Sequence, residues 1–146
     1  MQHYKNILVP VDFSNASRYA LENADDLAKM NKAKLTVLHV IDYIPPAYVA
    51  ATIPAAFASG ELIIERARDQ VEELIKDVGC IECDVVIKPG KAKKTILSEA
   101  EIRKTDLIII GSHDETMAGF TLGSVAHSIV HRASCDVMVV RKDPGL

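Results

Sequence analysis

Apolar residues along the chain occur either in short continuous runs or at intervals of three and four positions. The continuous runs, which have the length of β-strands, cover residues 7–11, 35–41, 84–88, 107–110 and 137–140. Runs that do not alternate with polar residues are typical of a sheet buried on both faces. Helical spacing predicts a helix capped by Ser14 or Asn15, and further helices over 61–78, 92–104 and about 124–132. Ser59 is a candidate N-cap of the second helix, and Gly79 marks its end.

Strands and helices alternate along the chain, which predicts right-handed βαβ crossovers and a parallel sheet. The predicted fold class is therefore α/β: one five-stranded, parallel, doubly wound, Rossmann-like sheet with four helices. At 146 residues the chain is long enough to bury a core of its own. It contains no internal repeat and no linker, so residues 1–146 are predicted to form a single domain.

One connection, residues 42–59, is long for a compact domain and contains Pro45, Pro46 and Pro54. It is interpreted either as a lid or partner-binding segment, or as a mobile surface loop, or as part of the second helix starting early. Its apolar content would be unfavourable in water, which favours a segment that covers something.

The net charge of −3, without lysines interleaved among exposed aromatic residues, argues against a nucleic-acid partner. The apolar runs are strand-sized, so no membrane span is expected. The first residues lack the layout of a signal peptide, and the predicted location is cytoplasmic.

Cys80 and Cys83 form a lone CxxC pair, and Cys135 stands apart. A structural zinc site usually needs two such pairs. A thioredoxin-like pair should open a helix, whereas this one follows a predicted helix and precedes a strand. The cysteines are therefore interpreted as small buried or turn residues, and no metal site is predicted from them.

The strongest chemical signal is a strand, a glycine turn and a second glycine that opens a helix. Gly111, Ser112 and His113 follow the strand 107–110, and Gly123 and Ser124 precede helical spacing. Such a turn exposes backbone N–H groups, and a helix N-terminus carries partial positive charge, so the pattern predicts an anion or phosphate site. Ser124 is also interpreted as the N-cap of that helix, which is compatible with phosphate binding.

Asp12 follows the first strand. If the first and fourth strands are neighbours at the point where strand order reverses, Asp12 lies beside the phosphate site. A carboxylate suits a ribose hydroxyl or an adenine amine, since both are donors. Val40 and Ile41, at the end of the second strand, are predicted to form an apolar wall for a base. The alternative role for Asp12 is a turn or capping residue.

At these positions the chain resembles a universal stress protein domain over nearly its whole length. The resemblance is carried by ILVPVD at 7–12 with Ser14, LHV at 38–40, Gly90, DLIIIGSH at 106–113, LGSV at 122–125 and VMVV at 137–140. It implies a five-stranded α/β fold and a homodimer formed through the last strand, Val137 to Val140. An exposed edge there would need such cover on physical grounds too.

The family has an ATP-binding branch, marked by Gly, two residues, Gly, nine residues, Gly, then Ser or Thr. This chain is closer to that branch but departs from it twice: Asp114 replaces the second glycine, and eight residues separate it from Gly123. A carboxylate beside a triphosphate is unfavourable by roughly 1–4 kcal/mol per close pair. A Mg or Mn ion bound with ATP would turn Asp114 into a ligand. Alternatively, Asp114 points outward and the shortened loop follows another path. If Asp114 faces the ligand, AMP or ADP would be less affected by it than ATP.

By this resemblance, adenine and ribose would contact Pro10, Val11, Asp12 and Val40. The phosphates would contact Gly111, Ser112, His113, Gly123, Ser124 and Val125. No catalytic residue is predicted, because a P-loop and a nucleophile elbow are both missing, and any ATP hydrolysis would be slow and incidental. His127 and His131 are interpreted as helix-surface or dipole-complementing residues. The alternative function is a dimeric interaction module that binds no nucleotide.

Overall fold

The computed structural model describes residues 3–42, 60–112 and 122–142. The elements within them are β1 Asn6–Pro10, α1 Asn15–Asn31, β2 Lys34–Asp42, α2 Gly60–Val78, β3 Asp84–Gly90, α3 Ala92–Ile102, β4 Leu107–Gly111, α4 Ser124–Arg132 and β5 Asp136–Val140. Every predicted strand and helix is present in this set. The ends differ from the prediction by one or two residues, and residues 43–59 of the predicted long connection lie outside the described part.

The five strands form one sheet in the order β3-β2-β1-β4-β5, and every neighbouring pair is parallel. The doubly wound α/β fold class is thereby confirmed. The order reverses at β1, since the chain builds β2 and β3 on one side of it and β4 and β5 on the other. In such sheets the crevice beyond the carboxyl ends of the two strands at the reversal is the usual ligand site.

Alternate residues of each strand point to opposite faces of the sheet, and each face has its own core. On one face, Ile7 and Val9 pack with the buried sides of α1 and α2. On the other face, Leu8 and Ile108 pack with α3 and α4. The strands are apolar at consecutive positions because both faces are covered, as predicted.

Asp106 joins the starts of β1 and β4. Its carboxylate accepts hydrogen bonds from the backbone N–H groups of Lys5 (2.8 Å) and Asn6 (3.0 Å). The Asp106 N–H donates in turn to the carbonyl of Asn6 at 2.9 Å. Side-chain acceptors for these backbone donors hold the two central strands in register at their amino ends.

Two predicted boundaries were wrong. The strand β3 was expected to close before Pro89 and Gly90, but both residues pair with β2, opposite Ile41 and Asp42. A proline is tolerated there because β3 is an edge strand. The helix α3 ends at Ile102 rather than at Lys104, whose φ of 54° is left-handed and cannot continue a helix.

The three cysteines are free thiols, with Cys80 buried and Cys83 and Cys135 half-buried. Burial raises the pKa of all three thiols, which favours the protonated form over the nucleophilic thiolate. Within the described residues no three His, Cys, Asp or Glu side chains are grouped as a metal site would require. None of the helices described has the length and apolar character needed to cross a membrane.

Candidate functional site

A cavity of about 410 Å³ lies at the carboxyl ends of β1, β2 and β4, where the strand order reverses. Its size falls within the range of small-molecule sites. Residues from the strand ends and from the first turns of α1, α3 and α4 line it: Pro10, Val11, Asp12, Ser14, Ala16, Ser17, Leu38, Val40, Asp42, Ala92, Ile96, Ile110, Gly111, Ser112, Gly123, Val125 and Ala126.

Most of the residues predicted from the sequence to bind a nucleotide border this one cavity. The structure brings together Pro10, Val11, Asp12, Val40, Gly111, Ser112, Gly123 and Val125. Ser124 is exposed and is not part of the lining. His113 and Asp114 lie outside the described residues.

Asp12 sits in the turn between β1 and α1 and is held by Ser14. The Ser14 backbone N–H donates to Oδ1 of Asp12 at 3.0 Å, and the Ser14 hydroxyl donates to the same oxygen. Partial burial raises the pKa of the Asp12 carboxyl, but these bonds, with a further one from Ser17, outweigh it and lower the pKa overall. The side chain is therefore a carboxylate at neutral pH. It has about four acceptor positions, which leaves capacity for a ligand donor.

The same turn is supported from β2 by His39, which the sequence reasoning did not single out. Nδ1 of His39 lies 2.7 Å from the carbonyl oxygen of Val11 and must carry the proton, since a carbonyl only accepts. The ring of His39 also packs against Phe13, with centroids 4.6 Å apart. Phe13 has a φ of 65°, a strained conformation for a bulky residue that its surroundings must maintain.

Gly111, at the end of β4, is required by packing against α1. A β-carbon at this position would lie 2.7 Å from the backbone carbonyl carbon and oxygen of Ala16 and 2.9 Å from its Cβ. Real β-carbons do not approach backbone so closely, so only glycine lets β4 end beside the first turn of α1. This contact explains the glycine without any ligand and brings both elements to the rim of the cavity.

The first turn of α4 forms the opposite rim. Gly123 is its N-cap and makes no side-chain cap hydrogen bond. The Gly123 N–H donates to the carbonyl of Ser112 at 2.8 Å, and Ser112 N–H donates to that of Val140 at 2.9 Å. These two bonds tie the start of α4 to the ends of β4 and β5. The interpretation of Ser124 as the N-cap is wrong, because Ser124 is the first helical residue.

A helix leaves its first N–H groups without partners inside the helix. In α4 the cap residue Gly123 has no side chain to cap them, and Val125 and Ala126 of this turn line the cavity. The first turn of α3 is similar: the side chain of its cap residue, Lys91, makes no cap hydrogen bond, and Ala92 borders the cavity. The cavity therefore combines a carboxylate acceptor on the β1 side with uncapped helix N-termini on the other sides.

A model of the universal stress protein family matches residues 3–141. The chain belongs to this family. It is 34% identical over 139 residues to Universal stress protein A homolog 1 of Coxiella burnetii, covering 94% of this chain and 96% of that protein. The solved UspA structure from Lactobacillus plantarum is 29% identical, with a TM-score of 0.75 over 97% of this chain and 100% of its own. A universal stress protein solved in complex with cAMP shares the fold at 23% identity, with a TM-score of 0.70 over 97% of this chain and 100% of its own.

In this universal stress protein domain the sequence reasoning missed the apolar floor of the cavity. Leu38 of β2, Ile110 of β4 and Ile96 of α3 form it, all in the core between the sheet and the helices α3 and α4. Ile41 was expected beside Val40 as part of the wall, but it packs on the opposite face, since neighbouring strand residues point to opposite sides. Asp42, two residues after Val40, returns to the cavity face and was also missed. Because alternate residues of a strand share a face, counting in steps of two from Leu38 could have placed Ile41 on the opposite face and Asp42 on the cavity face.

Proposed function

We propose that this universal stress protein binds an adenine nucleotide in the cavity. Adenosine lies on the β1–β2 side, and the phosphate lies against the first turn of α4. The observation that carries the proposal is the separation of a charged acceptor, Asp12, from an uncapped helix N-terminus across one cavity. An adenine nucleotide has the complementary layout, with donors on adenine and ribose and anionic oxygens at the other end.

The adenosine end rests on Asp12 and the apolar floor. A ribose hydroxyl or the adenine amine donates to the free acceptor positions of the carboxylate. Val40 and Leu38 of β2 and Ile110 of β4 offer an apolar surface to the base. Pro10 and Val11 complete this side, and Val11 is fixed by its N–H bond of 2.8 Å to the carbonyl of Leu38.

The phosphate end rests on Gly111, Ser112, Gly123 and Val125. Backbone N–H groups and the helix dipole of α4 favour an anion at this rim. Membership of the ATP-binding branch is proposed from the motif ends GSH and LGSV, with Mg or Mn accompanying ATP. Asp114 favours a nucleotide with fewer phosphates, such as AMP. The structural neighbour in complex with cAMP, an adenine nucleotide with one phosphate, is consistent with that preference.

We further propose that the working form is a homodimer in which β5 pairs with its counterpart and the bound nucleotide acts as a regulatory switch in a stress response. β5 is an edge strand of the sheet. Edge strands expose unpaired backbone groups that a second copy can satisfy. Sedimentation equilibrium at micromolar concentration should give twice the mass of one chain, and a monomer would contradict this arrangement.

A second candidate function is an interaction module that binds no nucleotide. It is favoured by one observation: Asp42 as well as Asp12 lines the cavity, so that two acidic residues oppose an anion anywhere inside it. Such a cavity would repel a triphosphate more than a nucleoside, since every carboxylate near it adds a repulsive term.

Denaturing mass spectrometry of the freshly purified protein, followed by calorimetry with ATP, ADP, AMP and adenosine in the presence of Mg, separates the two functions. Binding of an adenine compound that weakens at least about tenfold in Asp12→Asn supports the proposal, because a hydrogen bond to a charged group contributes about 1.5–3 kcal/mol. Asp69→Asn, an exposed change on α2, is the matched control. If mass spectrometry finds no adenine nucleotide and calorimetry shows no binding, the interaction module is the supported function. The Asp114→Gly variant then tests how many phosphates the cavity accepts. If it binds ATP more tightly than the native protein does, the Asp114 carboxylate opposes the triphosphate.

A further inference from the structure

The helix α4 carries two exposed histidines one turn apart. His127 and His131 have the i, i+4 spacing that places side chains on one side of a helix, and the buried residues of α4, Ala126 and Ile129, lie elsewhere. The two imidazole rings are already in contact, with centroids 4.5 Å apart and planes inclined at 50°. The nucleotide cavity does not use either residue.

Neither ordinary role of a surface histidine accounts for both residues. A histidine in the last turn of a helix complements the negative end of its dipole, which suits His131. His127 is the fourth residue of α4, near the positive end, where the dipole disfavours a cation. Among the described residues, neither imidazole forms an ion pair with a carboxylate. Two rings that gain charge together would repel each other.

We propose that His127 and His131 form a chelating site for a late first-row transition-metal dication, of the Ni²⁺, Cu²⁺ or Zn²⁺ class. Two histidines at i, i+4 on one helix face are a recognised way to hold such an ion, and imidazole suits these metals. Metal–nitrogen bonds of about 2.0–2.1 Å need the two donor nitrogens within roughly 4 Å of each other. Rings with centroids 4.5 Å apart reach this by side-chain rotation alone.

The site has two protein ligands, because the described residues contain no group of three His, Cys, Asp or Glu around it. Water fills the other coordination positions, so the metal exchanges readily and both faces of the ion stay open. Hard cations such as Mg²⁺ prefer oxygen ligands and do not compete for two imidazoles. The site is therefore independent of a Mg²⁺ ion that accompanies a nucleotide, and Mn²⁺ is the weakest competitor of the first-row series.

A metal that bridges two side chains one turn apart ties the last turn of α4 to the turn before it. Because the unfolded chain lacks the preformed pair, binding to the folded form alone stabilises it in proportion to the logarithm of metal concentration. The stabilised element is the helix whose first turn borders the cavity. Thermal unfolding is thus a direct readout of the metal, with or without nucleotide.

The test is titration of the intact protein with NiCl₂, followed by thermal melting and by ¹⁵N–¹H correlation spectra. Paramagnetic Ni²⁺ should broaden signals of α4 first, and the melting temperature should rise with Ni²⁺ but not with Mg²⁺. His127→Ala and His131→Ala should each weaken Ni²⁺ binding by at least about tenfold, the scale on which losing support for a metal ligand is felt. His3→Ala, a change at an exposed histidine outside α4, should leave it unchanged.

A matched variant separates chelation from histidine content. His131→Ala combined with Arg132→His keeps the number of imidazoles but changes the spacing to i, i+5, which turns the second ring off the shared face. This variant should bind as weakly as His131→Ala. Retained binding in it, or broadening centred on Cys80 and Cys83 rather than on α4, would overturn the proposal. Both altered positions are exposed, and His131→Gln gives a second test that preserves side-chain length.

Discussion

The two helices that face each other across the cavity begin in opposite ways. α1 is closed by its own residues: Ser14 accepts from the Ser17 N–H at 3.1 Å and also binds the carboxylate of Asp12. α4 begins at a glycine, which has no side chain to act as a cap, and its first turn lines the cavity. One N-terminus has a side-chain cap and stands beside the negative charge of Asp12, whereas the cap residue of the other offers no side-chain acceptor.

Because of this difference between the two helix N-termini, one end of the cavity offers a charged acceptor and the other end offers N–H donors. A ligand with donors at one end and an anion at the other is favoured in only one orientation. Among the described residues that line the cavity there is no arginine or lysine, so this polarity comes from Asp12 and from backbone and capping. Affinity should therefore respond to changes in capping and packing as strongly as to changes in charge.

The largest expected effect comes from forcing β4 and α1 apart where they meet at the rim of the cavity. Gly111→Ala places a β-carbon against the Ala16 backbone, so the free energy of unfolding should fall by about 3 kcal/mol, the upper end for overpacking. Urea denaturation measures this. Gly60→Ala, where a β-carbon meets nothing within 4 Å, is the control and should change stability by less than about 0.5 kcal/mol. Equal denaturation midpoints for the two variants would show that β4 and α1 can separate freely.

Giving α4 a charged cap should remove the difference between the two helices. In Gly123→Asp the new carboxylate satisfies the open N–H groups and repels phosphate, so ATP affinity should fall about 5- to 30-fold, corresponding to 1–2 kcal/mol. Adenosine affinity should hardly change. Gly123→Ser supplies a neutral cap for comparison, and calorimetry measures all three proteins. If ATP and adenosine weaken equally, the phosphate does not lie at α4.

Opening α1 is the converse experiment, with a smaller effect. Ser14→Ala removes the cap, which should lower the free energy of unfolding by about 1 kcal/mol. It also removes a hydrogen bond to Asp12, so adenosine binding should weaken as the carboxylate loses its fixed position. Ser98→Ala, an exposed serine on α3, is the control for loss of a hydroxyl. Identical melting curves for the two variants would contradict the capping role.

The smallest effect is the pH dependence that Asp12 contributes. The folded-state pKa of this carboxyl lies below its ordinary value, so the unfolded chain takes up the proton first as pH falls. Its stabilisation is present above the unfolded pKa, near 4, and disappears as pH drops through the folded value. The stability difference between the native protein and Asp12→Asn should therefore shrink below about pH 4. A difference that stays constant from neutral to acid pH would show that the carboxylate is not stabilised.

Patterns within single elements were predictable from the sequence, and close contacts between elements were not. Consecutive apolar residues identified every strand, and Ser14 was recognisable as a cap because its chemistry is local. Ser124 was misassigned as a cap because serine prefers that position, whereas here the Gly123 N–H bond to Ser112 decides where the helix begins. The contact of Gly111 with Ala16 could not be foreseen, since it exists only after β4 has packed against α1. Gly111 was correctly predicted to lie at the cavity, but as part of an anion-binding turn rather than because it packs against Ala16.

The position of β1 between β2 and β4 has a consequence for how the molecule is made. Asn6 meets Asp106, 100 positions further along the chain, so one side of β1 stays unpaired until the later half has been synthesised. Contacts this distant form slowly, and an open strand edge is prone to pair with the wrong partner in the meantime. The cavity draws residues from both halves, so it is completed only when the β4 side of β1 closes. A ligand that requires the complete cavity would bind fully folded molecules and not partly folded ones.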